Sequence, residues 1–134
     1  MAVSIETSEK FVVDASFVLS YLLPDEENEY VKGLFLDYQK RKIDFISASL
    51  LPYEVVNGVK SAVIRERMGT AQAKSLIREF LKLDFALEKI NETEIFSLAI
   101  SHDISIYDAS YLCLAKSEKI SLLTLDEKLR KLSK

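Results

Sequence analysis

A chain of 134 residues is long enough for one domain with its own core. With 49% apolar residues and only three Gly and two Pro, it is neither a disordered nor a fibrous protein, and its composition favours helices. Eighteen Lys and Arg stand against 21 Asp and Glu, and this net charge of −3 argues against a protein that grips nucleic acid through a basic surface.

Residues 1–10 read as a polar lead-in; they include Glu6 and Glu9 and no apolar stretch of the kind a signal peptide needs. Phe11, Val12 and Val13 form a short buried strand that ends at Asp14. Ser16 can cap a helix over 17–23, which Pro24 stops. That apolar run is far too short to span a bilayer. Asp25 reads as the next N-cap, with Glu26, Glu27 and Glu29 in the first turn and Lys40, Arg41 and Lys42 at the far end, the charge order a helix dipole prefers. A second strand is expected over 44–48. Helices follow over about 50–68 and, after Gly69 with Thr70 as cap, to about 82. A third strand falls near 85–87, and Asn91 caps a helix to about 101. The spacing then predicts a helix over 107–119, a strand over 120–125 and a terminal helix opened by Asp126.

Strands alternating with helices in one short chain imply an α/β domain, here residues 11–134, with a central parallel sheet flanked by helices on both faces. In such sheets a ligand site lies beyond the carboxyl ends of the strands, where their order switches. Asp14 and Asp126 fall where strands end and helices begin. The turn Asp14-Ala15-Ser16-Phe17 has no glycine, so it offers a carboxylate where a nucleotide cradle would offer backbone amides.

Taken singly, each acid has a plain explanation. Asp14 and Asp126 can be N-caps. Glu54 can be a solvent-facing acid on a helix whose apolar face is Leu51, Val55, Val59 and Ala62. On the same helix Glu54, Gly58, Ser61 and Arg65 form a second stripe, with Asn57 alongside. A mid-helix glycine costs up to about 1 kcal/mol, so Gly58 suggests a close approach, and the stripe is read as facing a cleft. Asp108 is the least ordinary, set among Ile104, Ile106, Tyr107, Tyr111 and Leu112, where a carboxylate should be paired or metal-bound. Thr124, two residues before Asp126 on the expected strand, could orient the carboxylate or a water.

Taken together, the pattern is more specific. Asp14 after an apolar strand, Glu54 in a helix, Tyr107-Asp108-Ala109-Ser110-Tyr111-Leu112 followed by Leu114-Ala115, and Leu123-Thr124-Leu125-Asp126 resemble the PIN-domain ribonucleases. More narrowly, the pattern is similar to the VapC toxins of prokaryotic toxin–antitoxin pairs. The resemblance covers about residues 11–132, and its most specific parts are the Tyr-Asp-Ala and Thr-x-Asp segments. It implies an endoribonuclease whose catalytic and metal-binding residues are Asp14, Glu54, Asp108 and Asp126. It also implies an RNA substrate, a cognate VapB-like antitoxin and a homodimer. The metal expected is Mg²⁺, with Mn²⁺ as a possible substitute, because both prefer carboxylate and water oxygens. Such a cation would offset the repulsion among the acids, activate water and stabilise charge developing on phosphate. Asp14, Asp108 and Asp126 are the expected ligands, direct or through water; Glu54 is a further ligand or positions the attacking water. An acidic pocket would admit flexible single-stranded or loop RNA in preference to duplex.

Two other readings remain open at this level. A non-catalytic PIN-like scaffold would be expected to have lost one or more of the acids, and none is missing. A phospho-acceptor signalling domain would carry a lysine just after a late strand, where this chain has Asp126. Arg65, about 16 Å along the helix from Glu54, is either an ordinary solvated arginine or a contact for a neighbouring phosphate. His102 is the only histidine and reads as a helix C-terminal residue. Cys113, the single cysteine, reads as core, which excludes an internal disulfide and fits a reducing, cytoplasmic setting. Phe35, Tyr38, Phe80, Phe85 and Phe96 are read as core positions, and Tyr21, Leu22, Phe35 and Tyr53 as a surplus of apolar side chains that a homodimer could use.

Overall fold

Successive side chains of a strand point to opposite faces of its sheet, so a strand buried at every position is covered on both sides. The computed structural model, which describes residues 9–134, shows this at the carboxyl ends of its two central strands. In β1 (Glu9–Val13) Val12 and Val13 are both fully buried, and in β2 (Ile43–Ala48) the last four residues are buried. With β3 (Ala86–Glu88) and β4 (Ser121–Leu123) they form one parallel sheet in the order β3-β2-β1-β4. Val12 pairs with Ile46 on one side and Leu122 on the other, and Val13 pairs with Leu123. The chain steps outward from β1 through β2 to β3, then crosses back to lay β4 against the other edge of β1. The order therefore switches between β1 and β4, as the α/β reading requires.

The helices are α1 (Ala15–Leu22), α2 (Glu29–Gln39), α3 (Leu51–Ile64), α4 (Thr70–Lys82), α5 (Glu92–His102), α6 (Ile106–Glu118) and α7 (Glu127–Leu132). Stacked and edge-on rings fix α1 and α2 against β2: Phe17 and Phe35 lie 5.5 Å apart, and Phe35 and Phe45 5.2 Å. The expected apolar face of α3 is buried throughout, at Leu51, Val55, Val59 and Ala62. Gly58 packs against α1, where an added Cβ would lie 2.3 Å from Leu19 Cδ1. Helix α6 is buried over the whole run Ala109–Ala115 and touches β1, β2 and β4, so it is the central helix of its layer.

Several local expectations are corrected. Asp14, not Ser16, caps α1. Asp25 lies in a 3₁₀ turn, Pro24–Glu26, and Asn28 caps α2, leaving only Glu29 in its first turn. Gly69, not Thr70, precedes α4. Helix α3 stops at Ile64, with Arg65 as its C-cap and Glu66 in the left-handed region at φ 61°. Helix α6 starts one residue early because Ser105 caps it. Strand β1 begins at Glu9, and the rest of the lead-in, residues 1–8, lies outside the described residues. Phe96 is 58% exposed and is not core; Phe35 and Leu22 are buried and so belong to no surplus, whereas Tyr53 is 82% exposed.

Candidate carboxylate site

Asp14 closes β1 and opens α1, and it is only 3% exposed. Its Oδ1 accepts the Phe17 N–H at 3.0 Å and the Ser16 hydroxyl at 2.7 Å, while Oδ2 accepts the Thr124 hydroxyl. Ser16 Oγ in turn accepts the Leu125 N–H at 3.0 Å, and Thr124 Oγ1 accepts the Asp126 N–H at 3.0 Å. Two hydroxyls thus tie the end of β1 to the end of β4. Thr124 orients a carboxylate as expected, but it is that of Asp14.

Asp126 caps α7, its Oδ1 accepting the Leu129 N–H at 2.8 Å. Asp108 is the third residue of α6, half-buried, and its N–H donates to the Ser105 cap at 3.0 Å. Glu54 lies in the first turn of α3, also half-buried, and its Oε1 accepts the Tyr111 hydroxyl at 2.6 Å. Tyr111 is 1% exposed and follows Asp108 by nearly one turn on α6.

The electrostatics show that these groups share one place. Burial pushes the Asp14 carboxyl above its ordinary range; the Thr124, Phe17 and Ser16 donors pull it back, and the Asp108 charge adds to the rise. Burial also raises Glu54, against the Tyr111 bond, and again Asp108 contributes. Asp108 itself is raised by burial and then by Asp126, with the Ser105 bond and the Lys128 ammonium opposing. The Tyr111 phenol is pushed up by burial, by its bond to Glu54 and by the charges of Glu54, Asp14 and Asp108. The structure therefore places Asp14, Glu54 and Asp126 each within electrostatic reach of Asp108. None of the four takes part in the ion pairs of the described residues, which lie elsewhere. The nearby Lys128 ammonium is instead held by the Asp103 carbonyl at 2.8 Å.

This donor set suits a hard cation: carboxylate oxygens only, from one buried, two half-buried and one exposed acid, none of them in an ion pair. It is not a cage: among the described residues no three His, Cys, Asp or Glu side chains are gathered tightly enough to hold a bare ion. Mg²⁺ tolerates that arrangement because it keeps several of its waters and uses few direct protein ligands. Two hollows elsewhere, one beside Pro52, Phe80 and Leu87 and one beside Thr93, Glu94 and Ser101, contain none of the four acids.

The remaining sequence candidates separate cleanly. Arg65 is exposed at the far end of α3. His102 lies in the last turn of α5, and Cys113 is buried in α6 with its thiol raised by burial. Sequence reasoning missed Ser16 as an Asp14 partner and Tyr111 as a site residue. The signal for Tyr111 was its spacing: three residues after Asp108, on the same side of α6.

Comparison with known proteins places this geometry in context. The PIN domain family model matches residues 11–134. Ribonuclease VapC3 of Pyrobaculum aerophilum is 30% identical over 124 residues, which cover 90% of this chain and 92% of that one. The crystal structure of PAE2754 from Pyrobaculum aerophilum is similar with a TM-score of 0.76 at 21% identity, over 97% of this chain and 85% of that one. The crystal structure of the Mycobacterium tuberculosis toxin VapC20, which cleaves the sarcin–ricin loop, gives 0.62 at 15% identity, over 90% and 93%. At those identities the two structures speak for the fold.

Proposed function

This chain belongs to the PIN-domain family, and from that premise we propose that it is a VapC-type ribonuclease toxin that hydrolyses RNA with Mg²⁺ at Asp14, Glu54, Asp108 and Asp126. The observation that carries the reading is the convergence on Asp108: its charge acts on Asp14 and Glu54, that of Asp126 acts on it, and no ion pair relieves the group. The 30% identity to a protein named a ribonuclease supports the substrate class.

Each residue then has a part. Asp14 is held rigid by three donors, so its carboxylate cannot swing away from like charge. Asp126 spends one oxygen on the α7 cap and keeps the other for the cleft. Asp108, half-buried between them, completes the set that would hold the ion. When bound, Mg²⁺, or Mn²⁺ in its place, neutralises this charge and activates water and phosphate as a Lewis acid. Glu54, raised above an ordinary glutamate, is the better base for the proton of the attacking water. Water adds to phosphorus, one P–O bond breaks, and the products are a phosphate monoester end and a hydroxyl end. A flexible single strand fits an acidic cleft better than a stiff duplex.

The partners that go with this reading are a VapB-like antitoxin and a second copy of the chain. Exposed apolar side chains are available to such partners, Tyr53 and Ile64 on α3 and Ile100 on α5 among them. A cytoplasmic setting is part of the same proposal; among the described residues no helix is long and apolar enough to cross a membrane. Labelled RNA incubated with the protein and Mg²⁺ tests the reading. Cleavage should vanish with EDTA and fall at least about 100-fold in Asp14→Asn, on the scale of losing a principal catalytic group. Cleavage indifferent to both changes would exclude the mechanism.

A further inference from the structure

Glu54 is the acid whose part is least constrained by its own element: it neither caps a helix nor ends a strand, and its side chain has three rotatable bonds. What holds it comes from another helix. Tyr111 on α6 has its ring in the main core, 1% exposed, so its hydroxyl has almost no freedom of position. That hydroxyl donates to Glu54 Oε1 at 2.6 Å, across 57 positions of sequence. Among the described residues Oε2 accepts from no protein donor. We infer that Tyr111 is a positioning residue that commits Glu54 Oε1 to the protein and leaves Oε2 as the single oxygen offered to the cation or its water. The inference rests on the metal-site reading of the four acids and deepens it, because it makes Glu54 a one-oxygen contributor and not a bidentate ligand.

The same α6 helix carries Asp108, so Tyr111 also sets the spacing between Glu54 and the central acid. A core tyrosine with a merely structural hydroxyl would affect stability alone. A positioning residue affects metal affinity, and does so only while Glu54 is there to be positioned.

The test is Mn²⁺ binding to the full-length protein without RNA, followed by electron paramagnetic resonance, with melting in EDTA recorded in parallel. Tyr111→Phe keeps the ring and should weaken Mn²⁺ binding about tenfold, the usual loss for a partner of a metal-directed side chain. In a Glu54→Gln background the same change should have no further effect. Wild-type Mn²⁺ affinity in Tyr111→Phe, or a loss that repeats in full in Glu54→Gln, overturns the inference. Should Tyr111→Phe not fold, Glu54→Asp keeps the charge but shortens the reach to the hydroxyl. It should show the same tenfold loss, and undiminished binding there overturns the inference equally. Asp108→Asn separates the two levels. If it leaves Mn²⁺ binding intact, the metal-site reading fails; if it abolishes binding while Tyr111→Phe does not weaken it, only the positioning role fails.

Discussion

Asp14, Glu54 and Asp108 hold their protons more tightly in the folded chain than in the unfolded one, with burial the leading cause in all three. Between the ordinary carboxylate values near 4 and the raised native ones, these three groups therefore bind more protons in the folded protein than in the unfolded chain. Stability of the metal-free protein must then fall as pH rises through the window from those values to the raised native ones, and it stays lower above that window. Below the window the cost is absent. Asp25 and Glu27 are shifted the other way, chiefly by their bonds to Arg67 and Lys32, so their contribution changes only at lower pH. In EDTA the urea midpoint of the wild type should drop as pH rises above the ordinary carboxylate range, and that of Asp14→Asn should drop less, since asparagine still caps α1 but carries no charge. Parallel curves for the two proteins would contradict a charge penalty at Asp14. Mg²⁺ should restore the loss, by about 2.7 kcal/mol at 100 times its dissociation constant.

All four helices that carry the acids do so at the N-cap or in the first turn, where the dipole favours negative charge: α1 through Asp14, α3 through Glu54, α6 through Asp108 and α7 through Asp126. Ser105 is the cap on which Asp108 depends, because it accepts the Asp108 N–H. Ser105→Ala should cost about 1 kcal/mol, seen as a lower melting temperature in calorimetry. It should also weaken Mn²⁺ binding, whereas unchanged melting would show the cap to be idle. This level was partly legible in the sequence. Periodicity was enough for α3, whose buried face is the one its spacing gives, and Gly58 did mark a close approach to Leu19. Caps were harder, because Asp14 and Ser16 both qualify locally and only the approach of Leu125 and Thr124 decides between them. Asp25 was misread because an acid before an acidic run looks the same ahead of an α-helix as inside a 3₁₀ turn. Phe96 was misread because α5 has adjacent apolar residues and its inward face is Ile95, Leu98 and Ala99.

Across the whole molecule, Asp14 and Asp126 come to one end of the sheet because its order switches between β1 and β4, which run parallel and side by side. The elements and the acids could be found along the chain, one at a time. Their meeting could be expected only from the rule for open α/β sheets and from the family resemblance. The Tyr111–Glu54 bond was legible in neither, since it depends on how α3 and α6 pass each other in the core. The net charge of −3 has a consequence at this scale: setting the four acids aside leaves the remainder close to neutral, so on the proposed function RNA would meet a surface of little net repulsion once a cation offset the acids. Compensation by a hard cation is thus the part of the proposed function on which the rest turns. Anomalous diffraction from a crystal soaked in Mn²⁺ tests it most directly. The expected result is a peak bounded by Asp14, Asp108 and Asp126 with Glu54 Oε2 facing it; a well-occupied peak elsewhere with that cleft empty would contradict it.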